Sequence, residues 1–335
     1  MKTIKLAFVF DDKFSDLFTV AAYSASKNTK SDLAIYIVDC GISEQNREKI
    51  LKLQERCGNI KSMKIGTPRR VDAIEKLQIP SHFSSAIFYR LAIPEIFPDL
   101  DRVIYLDCDV VVDGDIANLW NEDLNGKPFG AIEEDGNFFK SKTRRRYKEK
   151  LGIPVGNSYY STGTLLIDCK KFKKSCIFAR VIECVKTTKA TLLCPEQDAM
   201  NICLKKDEHV AISPTYGFPP CAPLAKQCLK KIKEPIVLHY SCFKPWDMSK
   251  PVVRIFDAMG LFRCQTSNFL KFWEYAAEVD FFPNPKKRTY RTLRFFFKRV
   301  FQPIERFVAK GIRDNILVFF SKRPSGRSQR RERKL

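Results

Sequence analysis

The chain has 335 residues, 44% hydrophobic and 29% charged, with only 14 Gly and 18 Pro. That composition excludes a collagen-like, low-complexity or wholly disordered polypeptide and leaves room for one large or two ordinary domains. The formal net charge is +21, but residues 286–335 hold 17 basic and 3 acidic side chains, so the first 285 carry only 42 − 35 = +7; basicity confined to a tail is no nucleic-acid signal for the whole molecule.

In chain order, 4–10 is an apolar run of buried-strand type, followed by a helical pattern over 16–27 and a second strand over 33–38. Ser43 is placed to cap a helix ending near Gly58. Residues 60–65 read as a third strand, 83–96 as a helix broken at Pro94, 103–106 as a fourth strand and 129–132 as a fifth. Strands of continuous apolar character alternating with helices predict an α/β fold built on a single Rossmann-like, doubly wound, mostly parallel sheet. Shorter strands are expected at 164–167, 210–212 and 236–238. No compositional break precedes residue 283, so 1–283 is expected to be one catalytic domain.

Beyond Pro283-Asn284-Pro285, apolar residues recur at helical spacing: Leu293, Phe296, Phe297, Val300, Phe301, Ile304, Val308 and Ile312. Arg291, Arg294, Lys298, Arg299, Arg306, Lys310 and Arg313 fill much of the remaining circumference, and Pro303 would kink the helix. The expectation is a basic amphipathic segment over 284–321 and a basic disordered tail over 322–335. An apolar stripe beside cationic side chains suits an anionic membrane surface; nucleic-acid binding, which Phe side chains serve less well, and packing on the catalytic domain are the alternatives.

The twelve cysteines form no Cys-x-x-Cys pair, and most lie in apolar stretches (Cys108, Cys169, Cys194, Cys203). They read as small buried hydrophobes of a reducing compartment. The N-terminal apolar run is too short for a signal peptide, and no run is long enough to span a membrane. A cytoplasmic protein is expected.

Two features carry chemistry. Asp107-Cys108-Asp109 follows the strand at 102–106, where residues two apart point the same way and two carboxylates can share one divalent cation. Asp113-Gly-Asp115 is a second Asp-x-Asp nearby, so the pattern alone is weak. His239, one of three histidines, closes a strand and precedes Lys244-Pro-Trp; its imidazole can be a third ligand, or a strand-end His bonded to backbone.

Together with Ser84-Ser-Ala-Ile-Phe-Tyr-Arg90, Ser161-Thr-Gly163 leading to Asp168, and Pro195-Glu196-Gln197-Asp198, these motifs resemble glycosyltransferase family 8 over roughly residues 4–250. The resemblance implies a GT-A type fold and retaining, metal-dependent transfer of galactose or glucose from a UDP-sugar. The acceptor would be a lipid-linked or oligosaccharide glycan, in lipopolysaccharide core or another cell-surface polysaccharide. It implies that Asp107, Asp109 and His239 hold Mn²⁺ or Mg²⁺, and that the Val9 backbone and Asp11 hold uracil with Phe14 stacked on it. Arg90 would reach the donor sugar and Asp107, and Lys244 the β-phosphate. Ser161, Glu196 and Gln197 would line the hexose, with Asp198 on the acceptor side or supporting that pocket; Gln197, Asp198 and Lys244 are the catalytic candidates. Without the resemblance, Asp11 could equally cap a helix and Arg90 sit on a helix surface.

The sequence departs from the family in having Ser161 where Asn is commoner and Glu196 where Asp is frequent. The loop after His239 is one residue shorter and lacks the usual Gly. No nucleic-acid partner is expected, and the enzyme would sit peripherally on the inner face of the cytoplasmic membrane. The rival from another class is a non-catalytic membrane- or nucleic-acid-binding protein retaining the sheet.

Overall fold

Strand β1 (Ile4–Phe10) shows why the chain adopts a layered fold: its successive side chains alternate between two apolar cores. Leu6, Phe8 and Phe10 join one core with Phe18, and Ala7 joins the other with Phe88 and Tyr105. The computed structural model describes residues 3–68, 74, 84–134, 142–153, 157–220, 232, 234–241, 244–246 and 266–279. All of them fall in the unit Met1–Asp247 with Cys264–Pro283. The expected amphipathic segment (284–321) and basic tail (322–335) lie outside the described residues.

Besides β1, the strands are β2 (Leu33–Asp39), β3 (Ile60–Gly66), β4 (Arg102–Leu106), β5 (Val110–Val112), β6 (Phe129–Glu134), β7 (Tyr159–Asp168), β8 (His209–Ala211) and β9 (Val237–His239). Seven form one sheet in the order β3-β2-β1-β4-β7-β6-β8. Pairing is parallel except where β7 runs antiparallel to both β4 and β6. The fold is thus the α/β, mostly parallel sheet that the alternation predicts. The last expected strand is not in it: β9 pairs antiparallel with β5 in a separate two-stranded sheet.

Among the helices, α1 (Ser15–Asn28) follows β1, and α2 (Glu44–Arg56) begins at Ser43, whose hydroxyl accepts from the Asn46 N–H at 3.4 Å. Further along come α3 (Lys142–Lys150), α4 (Ile177–Thr187), α5 (Pro195–Cys203) and α6 (Thr266–Val279). The expected helix ending at 96 differs: Ser85–Ala92 is 3-10, and Pro94 lies in the first turn of a short α-helix, Ile93–Ile96. A first-turn Pro lacks an N–H that would be orphaned anyway, so it starts that turn instead of breaking a longer helix. Cys108 and Cys169 are buried as expected; Cys203 is only half-buried at the end of α5, and Cys194, just ahead of α5, is exposed.

Asp113, in the second Asp-x-Asp, anchors α6 by accepting from Tyr275 Oη (2.8 Å) and pairing with Lys271. Asp115 accepts from the Ala117 N–H at 2.9 Å, in the turn that leads into the short helix Ala117–Asn121. Both carboxylates of this motif are occupied structurally.

Candidate active site

Open α/β sheets bind ligands beyond the carboxyl ends of their strands. At the end of β4 the Asp107 N–H bonds to the Gly163 carbonyl on β7 (2.9 Å), so the first carboxylate is held by the sheet. Three residues on, the chain enters β5, whose Val110 pairs with His239 of β9, and the Tyr240 N–H bonds to the Asp109 carbonyl at 3.0 Å. This small antiparallel pairing carries His239 across 130 residues to the carboxylates. Its Nε2 stands 3.2 Å from Asp109 Oδ1 and 3.5 Å from Asp107 Oδ2.

One ligand atom from each of Asp107, Asp109 and His239 lies within 4.8 Å of the others. Two carboxylates and one imidazole suit a divalent cation such as Mn²⁺. The surroundings fit as well. A Cβ on Gly163 would come 2.3 Å from His239 Cε1 and 3.0 Å from Asp107 Oδ2, so only glycine lets β7 pass this close. Burial disfavours a charged His239, but the Asp109 carboxylate, and then Asp107, outweigh it and raise the imidazole above its ordinary value. Burial likewise works against ionised Asp109, yet His239 and Lys244 hold its carboxyl well below the usual range. The cluster is built to receive positive charge.

Arg90 is inside the site, not on a helix surface. Its Nη1 lies 3.1 Å from Asp107 Oδ1 and donates to the Thr162 carbonyl (3.1 Å), while Nε donates to the Ile87 carbonyl (2.9 Å). The guanidinium lies 5.0 Å from the centre of the Tyr105 ring, and Tyr105 Oη donates to Asp107 Oδ1 at 2.5 Å.

Helix α5 opens with Pro195 in its first turn, which presents Glu196, Gln197 and Asp198 toward the start of β7. Glu196 Oε2 accepts from Thr162 Oγ1 (3.1 Å) and stands 3.9 Å from Arg90 Nε. Its other oxygen, Oε1, is buried without a hydrogen-bond partner. Burial pushes this carboxyl up to about 7 against the pull of Arg90. Gln197 Oε1 accepts from the Thr162 N–H (3.1 Å), and its Nε2 donates to Tyr159 Oη (3.0 Å). Asp198 is fully buried and accepts from Tyr159 Oη (2.6 Å), the Cys194 N–H (2.8 Å) and Tyr147 Oη of α3.

The remaining expected residues are more loosely gathered. Val9 lies near the end of β1, and Asp11 accepts from the Lys13 N–H (3.2 Å), capping the 3-10 turn Asp12–Phe14. Phe14 keeps 42% of its surface exposed, the ring available to a flat partner. Ser161 Oγ accepts from the Gly163 N–H (3.4 Å). Lys244 is ion-paired with Asp109. Thr162, Tyr105, Tyr159 and Tyr147 join the site without having been singled out. Thr162 and Tyr159 sit in and beside the Ser-Thr-Gly motif, where strand alternation could have flagged them; Tyr147 arrives from a distant helix with no sequence signal.

A family model described as glycosyl transferase family 8 matches residues 5–250. The chain belongs to glycosyltransferase family 8. A putative glycosyltransferase of Haemophilus influenzae is 26% identical over 72% of this chain and 72% of its own length. The lipopolysaccharide 1,2-glucosyltransferase of Escherichia coli K12 is 28% identical over 60% of this chain and 58% of its own. The solved galactosyltransferase LgtC, in complex with donor and acceptor sugar analogues, superposes with a TM-score of 0.68 at 24% identity, over 85% of this chain and 99% of that one. The GT-A architecture is shared with it.

Proposed function

We propose that this glycosyltransferase is a retaining, metal-dependent hexosyltransferase that moves glucose or galactose from a UDP-sugar to a cell-surface glycan, with lipopolysaccharide core as the leading acceptor class. The observation that carries the reading is the convergence of Asp107, Asp109 and His239 at the strand ends, faced by Arg90, Glu196 and Gln197. The lipopolysaccharide glucosyltransferase among its relatives supports the acceptor class.

Asp107, Asp109 and His239 would hold Mn²⁺ or Mg²⁺. When bound, the cation supplies charge that offsets the donor's diphosphate and stabilises the departing UDP. Lys244, paired with Asp109, would offer its ammonium to the same diphosphate, where leaving-group charge grows in the transition state. Arg90 ties Asp107 to the Thr162 segment and so fixes the metal carboxylate relative to the sugar pocket. Val9, Asp11 and exposed Phe14 are assigned to uracil, and Ser161, Glu196 and Gln197 to the hexose.

Retention usually implies a nucleophile on the far face of the sugar. The amide of Gln197 is a poor one, and Asp198 is buried with three donors on its carboxylate. Front-face displacement fits better: the C1–O bond to the phosphate breaks, the acceptor oxygen bonds to C1 on the same side, and its proton passes to the departing phosphate oxygen. Gln197 then offers a carbonyl dipole to positive charge developing at C1.

The segment 284–321 is assigned to the anionic inner face of the cytoplasmic membrane. Among the described residues no helix is long and apolar enough to cross a membrane. Purified protein given a panel of UDP-sugars should release UDP with Mn²⁺ and stop on chelation. Absence of release from every UDP-hexose would favour the non-catalytic rival.

A further inference from the structure

The hydrogen bonds around Gln197 have a direction that chemistry alone decides. The Thr162 backbone N–H can only donate, so the amide atom facing it at 3.1 Å is the carbonyl oxygen. The Gln197 NH₂ therefore points the other way, 3.0 Å from Tyr159 Oη. Asp198 already receives the Cys194 N–H on Oδ2, and its Oδ1, 2.6 Å from the same phenol, takes the Tyr159 proton. Tyr159 thus gives its single proton to Asp198 and presents a lone pair to Gln197. Tyr147 Oη donates to Asp198 from the opposite side while accepting from the Leu193 N–H at 2.9 Å.

The chain Tyr147–Asp198–Tyr159–Gln197–Thr162 is continuous, and each of its phenol protons has a carboxylate acceptor. It adds one further link, since Thr162 Oγ1 donates to Glu196 and the Thr162 carbonyl receives Arg90. Two consequences follow. The amide of Gln197 is held at both ends, so its oxygen has one place. A carboxylate pulling on the phenol makes that phenol a better acceptor for the amide N–H, which in turn raises electron density on the amide oxygen.

We propose that Tyr159 is a positioning residue for glycosyl transfer: anchored by Asp198, its phenol locks and polarises the Gln197 amide, and Asp198 acts through Tyr159 without touching the sugar. The proposal rests on the reading above that Gln197 lies in the donor pocket.

The test is a double-mutant cycle on the full-length protein, with Mn²⁺ and whichever of UDP-glucose and UDP-galactose the wild type turns over. Tyr159→Phe is expected to lower kcat for UDP release about tenfold or more, the scale on which small misplacements of a reacting group act, with donor KM changed less than about threefold. In a Gln197→Ala background the same substitution should change kcat less than about twofold, because the amide it positions is gone. Tyr147→Phe leaves Asp198 two donors and should cause a smaller loss that also vanishes in the Gln197→Ala background; it decides the matter if Tyr159→Phe does not fold. An unchanged kcat in Tyr159→Phe, or an equal loss in both backgrounds, overturns the positioning role. If Gln197→Ala itself leaves kcat intact, the donor-pocket reading fails first and the proposal falls with it.

Discussion

Asp109 and Asp113 are four residues apart, each carries a carboxylate beside a lysine, and they do different work. Asp109 faces His239 and Lys244 at the strand ends, whereas Asp113 faces Lys271 and Tyr275 and holds α6. Asp109→Asn and His239→Ala should each lower Mn²⁺-dependent UDP release by at least about a hundredfold, since each is one of the three proposed metal ligands. Asp113→Asn should leave UDP release near wild type and lower the melting temperature instead. Parallel UDP-release and thermal-unfolding measurements separate the two, and equal activity losses would undo the distinction.

Glu196 offers a pH test at the same scale. Burial pushes its carboxyl from the ordinary 4.5 up to about 7 in the folded protein. A carboxyl that binds its proton more tightly when folded stabilises the protein below its unfolded pKa, and that stability is lost as pH rises through about 7. The loss is on the order of 3 kcal/mol for a shift of this size. Glu196→Gln removes the titration, so in metal-free protein the variant should gain stability over wild type between pH 5 and pH 8 while losing transfer activity. A stability difference that stays constant over that range would mean Glu196 ionises in the folded protein without penalty.

At the scale of elements, the site depends on two strands meeting at a glycine. β7 brings Gly163 against the face of His239, and β9 brings His239 to Asp109 through pairing with β5. Gly163→Ala would place a Cβ 2.3 Å from His239 Cε1, closer than nonbonded carbons approach, and the imidazole rim must yield. The expected outcome is a protein with a wild-type circular dichroism spectrum that needs much more Mn²⁺ for half-maximal UDP release. A Mn²⁺ titration matching wild type would show that His239 is not held where the site requires it. Asp107 and His239 were legible because each stands at a strand end, and Glu196, Gln197 and Asp198 because they open a helix. The β5–β9 pairing was not, since three-residue strands carry too little periodicity to reveal a partner 130 residues away.

For the whole molecule, charge is divided unevenly: +14 of +21 lies in residues 286–335. Deleting them should leave UDP release intact, because every residue assigned to the site precedes position 247, and should abolish sedimentation with anionic vesicles. Full-length protein should pellet with such vesicles and be released by high salt, which screens attraction between exposed charges. Replacing Phe296, Phe297 and Phe301 with Ser keeps every charge yet should also weaken pelleting. If that triple variant unfolds the catalytic unit, the stripe is core packing and the membrane assignment fails.

The sequence by itself determined the layered α/β architecture, the strand-end carboxylates and the family, because apolar periodicity and short ordered motifs are local properties of a chain. It also exposed the unequal charge. Tertiary structure alone decided the rest. It turned β7 against its neighbours, since residue pattern does not encode strand direction. It put Arg90 inside the site. It also joined Tyr147 and Tyr159 to Asp198 and Gln197, since hydrogen bonds between side chains 38 to 51 residues apart exist only once the helices and the strand that carry them have packed.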